Sequence, residues 1–145
     1  MAEHFANAAA RHLQDSKLLL DKSRWDGSAY LAGYVIECSL KALISTPSSP
    51  PGVDLKELGH SLSLLQQRLD QMAASRKPGW KRNVPREFLS NLRSSLNSMP
   101  LPWEPAMRYA PDCGRWCQEA GRFWCLANRC FSACAKKLVT SEVTQ

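Results

Sequence analysis

An all-α fold, an up-and-down bundle of about five helices, is predicted by three features of this sequence. Apolar residues recur at spacings of three and four over most of the chain, which is the helical period. No convincing run alternates apolar and polar residues, so strands are not predicted. The 145 residues suit a single helical domain over 1–145, and prolines and glycines divide it into segments with short connections.

The first helix is predicted over about 3–23 and is followed by a break at Trp25-Asp26-Gly27-Ser28. Ser28 is the predicted N-cap of the second helix, because a serine hydroxyl accepts a hydrogen bond from a backbone N–H of the first turn. That helix should end near Thr46, where closely spaced prolines cannot continue it. The apolar side of the first helix contains Phe5, Ala9, Leu13, Leu19 and Leu20.

The second helix is apolar around nearly its whole circumference, yet it carries Glu37 and Lys41 one turn apart. Such a helix belongs at the centre of a bundle, where a buried charge is costly unless it is paired. Two interpretations follow: a local ion pair at the helix margin, or a polar site in a groove of the bundle. Gly33 is unfavourable in a helix relative to alanine, so we expect it to mark the close approach of another backbone.

Two further helices are predicted to carry apolar residues along one face, which we call the stripe of each helix and expect to lie in the core. The third is predicted from about 55 or 60 to 75, and the fourth over 86–97. Their stripes contain Leu58, Leu62, Leu65, Leu69 and Met72 in the third helix and Phe88, Leu89, Leu92 and Leu96 in the fourth.

The last third of the chain is predicted to cross the bundle and then form the final helix. Prolines at 100, 102, 105 and 111 favour an extended segment that holds Trp103, Arg108 and Tyr109. Asp112 is the predicted cap of the last helix, which reaches about Val139 and leaves 139–145 as a frayed tail. Its predicted inner face contains Trp116, Ala120, Phe123, Ala127, Cys130, Phe131, Cys134 and Leu138.

The cysteine pattern argues against a metal site. No Cys-x-x-Cys pair is present, and the close pairs lie along one helix, whereas zinc needs ligand pairs from different elements. We therefore predict no metal and no cofactor, and free cysteines that pack as small hydrophobes in a reducing cytoplasm. The start of the chain lacks a basic-then-apolar leader and Glu37 interrupts the longest apolar run, so no membrane association is expected.

The net charge of +6 is concentrated in one segment, which we call the basic segment. Cations offset phosphate charge and an aromatic ring can stack on a base, so this composition favours an RNA partner. A solvated connection between helices or a protein-facing patch are the alternatives. The segment contains Arg76, Lys77, Trp80, Lys81, Arg82, Arg86 and Arg93 around one acid, Glu87.

Three motifs in this order resemble the HEPN superfamily (higher eukaryotes and prokaryotes nucleotide-binding). They are AYLAGYVIECSLKA at 29–42, GHSL at 59–62 and RYAPD at 108–112. The resemblance covers about 16–139 and implies a helical bundle that usually dimerises. Such domains are often encoded beside a small nucleotidyltransferase in toxin–antitoxin or defence modules, and active members are metal-independent RNases.

The RNase signature of that superfamily is an arginine followed four to six residues later by a histidine. None of His4, His12 and His60 has an arginine at that distance before it, so the sequence does not support carrying over the usual RNase activity. The resemblance implies that Glu37, Lys41, Arg108 and Tyr109 form the shared polar set. Their structural alternative is a buried ion pair between Glu37 and Arg108 that fixes the crossing segment on the bundle.

Three functional hypotheses remain open from the sequence. The first is a non-catalytic or divergent HEPN-like binding and dimerisation module with a nucleotidyltransferase-like or RNA partner. The second is a metal-independent RNase whose site combines Glu37, His60 and Arg108 across a dimer. The third is a structural subunit of a larger complex. A homodimer is expected because the second helix exposes more apolar circumference than four neighbouring helices cover, with Tyr30 and Tyr34 in the core or the interface.

Overall fold

The computed structural model describes residues 2–45, 59–74, 86–98, 103–109 and 116–136. A 3₁₀ helix covers Pro105–Tyr109, and a π-helical turn over Phe131–Ala135 continues the last α-helix. These ranges contain no strand, so the predicted all-α helical bundle is confirmed. Their five α-helices are α1 (Ala2–Asp21), α2 (Trp25–Ile44), α3 (Leu62–Ala74), α4 (Arg86–Asn97) and α5 (Ala120–Cys130).

Helix α2 lies at the centre of the bundle, in contact with α1, α3, α5 and the 3₁₀ helix. Its residues from Val35 to Ile44 are all buried within one chain. The premise that this helix needs a second copy to cover it was therefore wrong, and the dimer now rests on the resemblance alone. No helix in the described ranges is long and apolar enough to span a bilayer.

Helices α1 and α2 form an antiparallel hairpin held by two buried serines. The Ser16 hydroxyl donates to the carbonyl of Ser28, the Ser28 hydroxyl donates to the carbonyl of Ser16, and both bonds are 2.8 Å long. The break between the helices falls at Lys22 and Ser23, where Ser23 has a φ of 58°. Ser28 is thus inside α2 and does not cap it, because its hydroxyl is used by the other helix.

Helices α3 and α4 match their predicted stripes. Leu65, Leu69, Leu89 and Leu92 are buried, and the Ser61 hydroxyl accepts a hydrogen bond from the Leu64 N–H at the start of α3. Arg93, counted with the basic segment, forms an ion pair with Asp70 that links the two helices. Residues 46–58 and 75–85 lie outside the described residues, as do the prolines after α2 and most of the basic segment.

The predicted inner face of the last helix is also confirmed where the structure describes it. Cys130 and Cys134 are buried, and burial raises the pKa of the Cys130 thiol to about 12 and that of Cys134 well above its usual range. The helix is not uniform, because it widens to the π-helical turn after Cys130. Asp112 and Leu138 lie outside the described residues.

In the described part of the crossing segment, residues 103–109, a 3₁₀ helix replaces much of the predicted extended chain. Pro105 opens the 3₁₀ helix, which suits a residue with a fixed φ and no N–H to donate. Trp103, just before it, packs its indole against Gly33 of α2. The close approach predicted at Gly33 is therefore made by a side chain and not by a backbone.

Candidate functional site

The carboxylate of Glu37 is buried in the bundle and has two partners, an imidazole and an ammonium. Its Oε1 lies 2.6 Å from Nδ1 of His60, and its Oε2 lies 3.8 Å from Nζ of Lys41. The Glu37 side chain is only 5% exposed. An ion that is nearly dehydrated needs such partners, because burial in a low-dielectric interior costs several kcal/mol per unpaired charge.

Lys41 is buried with its partner, one turn further along α2. Its ammonium lies 5.8 Å from the centre of the Phe5 ring on α1. The cation–π contact and the Glu37 ion pair together offset part of the dehydration of the ammonium. The sequence left open whether the Glu37–Lys41 pair lies at the helix margin or inside the bundle, and the structure places it inside.

His60 connects this buried pair to the surface. It lies in the turn before α3, next to Gly59, whose φ of +56° is the left-handed conformation that glycine adopts without strain. The His60 side chain is 57% exposed although its Nδ1 contacts Glu37. A carboxylate accepts and does not donate, so Nδ1 carries the hydrogen of this bond and Nε2 is the second ring nitrogen available for other contacts.

The Tyr34 ring contacts two histidines. The centre of its ring is 5.9 Å from that of His12 on α1 and 6.2 Å from that of His60. It also makes edge-to-face contacts, at 5.1 Å between ring centres, with Tyr30 and Trp103. We call these five rings, with Glu37 and Lys41, the polar–aromatic site. Its geometry brings a carboxylate, an ammonium and two imidazoles onto one side of α2.

Trp103 attaches the crossing segment to this site. Its Nε1–H donates to the carbonyl of Tyr30 at 3.0 Å, and its ring occupies the space that a side chain at position 33 would need. The Trp103 side chain thus holds the segment on α2, a role the sequence had assigned to an ion pair of Glu37 with Arg108. Glu37 pairs with His60 and Lys41, and the Arg108 and Tyr109 side chains lie outside the described part of the structure.

His12 is the site residue that sequence reasoning missed. Arg11 and Asp15 lie near it in the sequence, but neither stands at the spacing of the RNase signature. His12 reaches Tyr34 only because α1 and α2 pair with Ser16 opposite Ser28. Burial lowers the pKa of His12 from its ordinary value of 6.5 and the Arg11 charge lowers it further, against the opposite effects of Asp15 and Glu37. The fold therefore favours the neutral imidazole at this position.

This shift predicts a pH dependence of stability. As the pH falls below 6.5, the unfolded chain takes up a proton at His12 before the folded chain does, so protonation favours unfolding. We expect the free energy of unfolding to decrease below that pH, and His12→Gln to remove this part of the decrease. Urea unfolding at pH 7.5, 6.5 and 5.5 measures it. If the free energy of unfolding changed equally with pH in the wild-type protein and in His12→Gln, the prediction would be contradicted.

The arrangement supports acid–base or hydrogen-bonding chemistry without a metal. A histidine oriented by a carboxylate through Nδ1 can exchange a proton or bind a polar group at Nε2. The described residues contain no group of three His, Cys, Asp or Glu side chains placed to hold a metal ion. Among the predicted nucleic-acid contacts, Arg76, Lys77, Trp80, Lys81, Arg82 and the Arg86 side chain lie outside the described residues.

Comparisons of this chain with protein-family models, with curated proteins and with solved structures find no match.

Proposed function

We propose that this chain is a non-catalytic or divergent HEPN-like module that binds a partner and forms a homodimer, in a toxin–antitoxin or defence-type system. Its partner is a nucleotidyltransferase-like protein or an RNA. The motif order in the sequence supports the family, and the missing Arg-x4–6-His pair supports a divergent role. An alternative is that the chain is a structural subunit of a larger complex. In that case the basic segment would contact another protein instead of RNA.

The main support for a binding role is that two side chains of the same chain contact the Glu37 carboxylate. Both of its oxygens face nitrogen groups of the same chain, so the carboxylate orients the His60 imidazole and neutralises the Lys41 ammonium. These contacts join α2 to the turn before α3, and Trp103 joins α2 to the crossing segment. A site built this way presents the exposed His60 ring on a rigid support, which suits recognition of a ligand.

One observation favours a second candidate, a metal-independent RNase. Glu37 and His60, which the sequence hypothesis joined across a dimer, meet within one chain at 2.6 Å. His12 also contacts the Tyr34 ring that contacts His60. A carboxylate-oriented histidine that shares a tyrosine contact with a second histidine suits proton transfer at a ribose 2′-hydroxyl.

We expect a symmetric dimer in solution, which is the part of the proposal that the resemblance implies most directly. Light scattering coupled to gel filtration, over a range from about 1 to 100 μM, measures the mass. A second arm co-expresses the chain with any nucleotidyltransferase encoded next to its gene and asks whether the two co-purify. A monomer throughout that range would remove the dimerisation clause from the proposal.

We also expect weak binding of single-stranded RNA with a steep salt dependence, because phosphate contacts release counterions. Neutralising Lys81, Arg82 and Arg86 together should flatten the slope of log K against log salt by about 0.7 per lost contact. Trp80→Ala should weaken binding through lost stacking while the slope changes little. Fluorescence anisotropy with a labelled oligonucleotide measures both effects.

The matched control neutralises three exposed cations outside the basic segment, Arg11, Lys22 and Arg24. Equal effects of the two triple variants would mean that only net charge matters and that the basic segment is not the RNA contact. Cleavage of RNA in the presence of EDTA, with loss of cleavage in His60→Ala and His12→Ala, would favour the RNase instead. No RNA binding at low salt would remove the nucleic-acid clause.

A further inference from the structure

A groove of about 750 Å³ lies away from the polar–aromatic site, between the C-terminal half of α1, the end of α4 and α5. We call it the α5 groove. Its volume is in the range of pockets that bind small molecules. Its charged and tryptophan lining residues are Lys17, Trp116, Glu119, Arg122, Trp124 and Arg129.

The charge in the α5 groove is mostly positive. Arg122 and Arg129 are exposed and lie two turns apart on the same face of α5, and Lys17 reaches the groove from α1. Among the described residues, the ion pairs include neither arginine, whereas Lys17 is paired with Asp21. Glu119 is the one acid among the lining residues. The two guanidinium groups are therefore available to an anion, and each can bind it with two parallel hydrogen bonds.

The aromatic part of the groove is held in place by the bundle. The Trp124 indole donates from Nε1 to the carbonyl of Leu13 at 3.2 Å, and the Lys17 ammonium lies 5.1 Å from the centre of its ring. Trp116 stacks on Phe123 at 5.2 Å between ring centres. These fixed rings offer an apolar surface that needs no rearrangement when a ligand arrives, which lowers the entropic cost of binding.

We propose that the α5 groove binds a small amphipathic organic anion: an apolar ring or chain that carries one carboxylate, sulfonate or phosphate. The apolar body packs against Trp124 and Trp116, and the anionic group pairs with Arg122 or Arg129. The excess of cations over acids in the lining selects the sign of the charge, and the rings select an apolar body. This inference is independent of the function proposed for the polar–aromatic site.

The first test uses 8-anilinonaphthalene-1-sulfonate, an aromatic sulfonate whose fluorescence rises in an apolar site. We expect saturable binding of one probe per chain at neutral pH, weakened by salt. The double variant Arg122→Gln/Arg129→Gln should weaken it at least about tenfold, the loss expected when charged hydrogen bonds are removed. The matched control, Arg11→Gln/Arg24→Gln, removes two exposed charges outside the groove and should bind like the wild-type protein.

The second test needs no substitution. Cys125 is exposed and lines the groove between the two arginines, whereas Cys117 is exposed and is not part of the lining. A saturating concentration of the probe should slow maleimide labelling of Cys125 severalfold and leave Cys117 unchanged, as measured by peptide mass spectrometry. The proposal would be overturned if probe binding did not saturate or if the two double variants bound the probe equally well. It would also be overturned if Cys125 were labelled equally with and without the probe.

Discussion

Replacing Glu37 by alanine is expected to lower the free energy of unfolding by about 3 to 5 kcal/mol, the cost of stranding a buried partner charge. The Lys41 ammonium, only 11% exposed, would keep its burial and lose its carboxylate. His60 would lose the contact that joins the turn before α3 to α2. Urea unfolding followed by far-ultraviolet circular dichroism measures the change.

An exposed pair with the same spacing supplies the control. Lys17 and Asp21 form an i,i+4 ion pair at 3.0 Å, but both side chains are about half exposed. Asp21→Ala should therefore cost less than about 1 kcal/mol. The double variant Glu37→Met/Lys41→Met should cost less than Glu37→Ala alone, because it leaves no unpaired ammonium. A cost below about 0.5 kcal/mol for Glu37→Ala would refute the buried-site interpretation.

Replacing Gly33 by alanine is expected to destabilise the protein by about 1 to 3 kcal/mol or more, although alanine is the better helix former. A Cβ at this position would overlap the Cε2 and Nε1 atoms of the Trp103 indole. The indole cannot move aside without losing its hydrogen bond to the Tyr30 carbonyl and its contact with Tyr34. Thermal unfolding and tryptophan fluorescence detect the displacement.

Two comparisons separate this clash from helix propensity. Gly121 lies in α5 with open space around its Cβ position, so Gly121→Ala should leave stability unchanged or raise it by up to about 1 kcal/mol. In a Trp103→Ala background the clash is absent, so Gly33→Ala should become neutral or stabilising there. The same loss from Gly33→Ala in both backgrounds would mean that Trp103 does not cause it.

Much of the fold was predictable because helix formation is encoded within a few turns of chain. The apolar faces of α3, α4 and α5 follow from spacings of three and four. The central position of α2 follows from its apolar residues on all sides. Part of the site was predictable on the same basis. Glu37 and Lys41 share one face of an otherwise apolar helix, and this local pattern indicated that the pair needed an explanation.

The errors share one cause. Ser28 has the chemistry of an N-cap, but its hydroxyl is used by Ser16 of another helix. The observed N-cap of α2 is Arg24, four residues earlier. Gly33 signalled a close approach without saying that Trp103, 70 residues later, makes it. Local propensity is a weak preference, and a fully buried contact between helices outweighs it.

The sequence by itself determined the helices, the apolar faces they bury and the presence of a charged pair on an otherwise apolar helix, because these depend on residue type and periodicity. The tertiary structure decided that this pair lies inside the bundle. Only the tertiary structure decided which groups meet. His60 contacts Glu37 across 23 residues, and His12 reaches Tyr34 from another helix. Such partners depend on how helices dock, and docking is the sum of many side-chain contacts that no short segment of the chain contains.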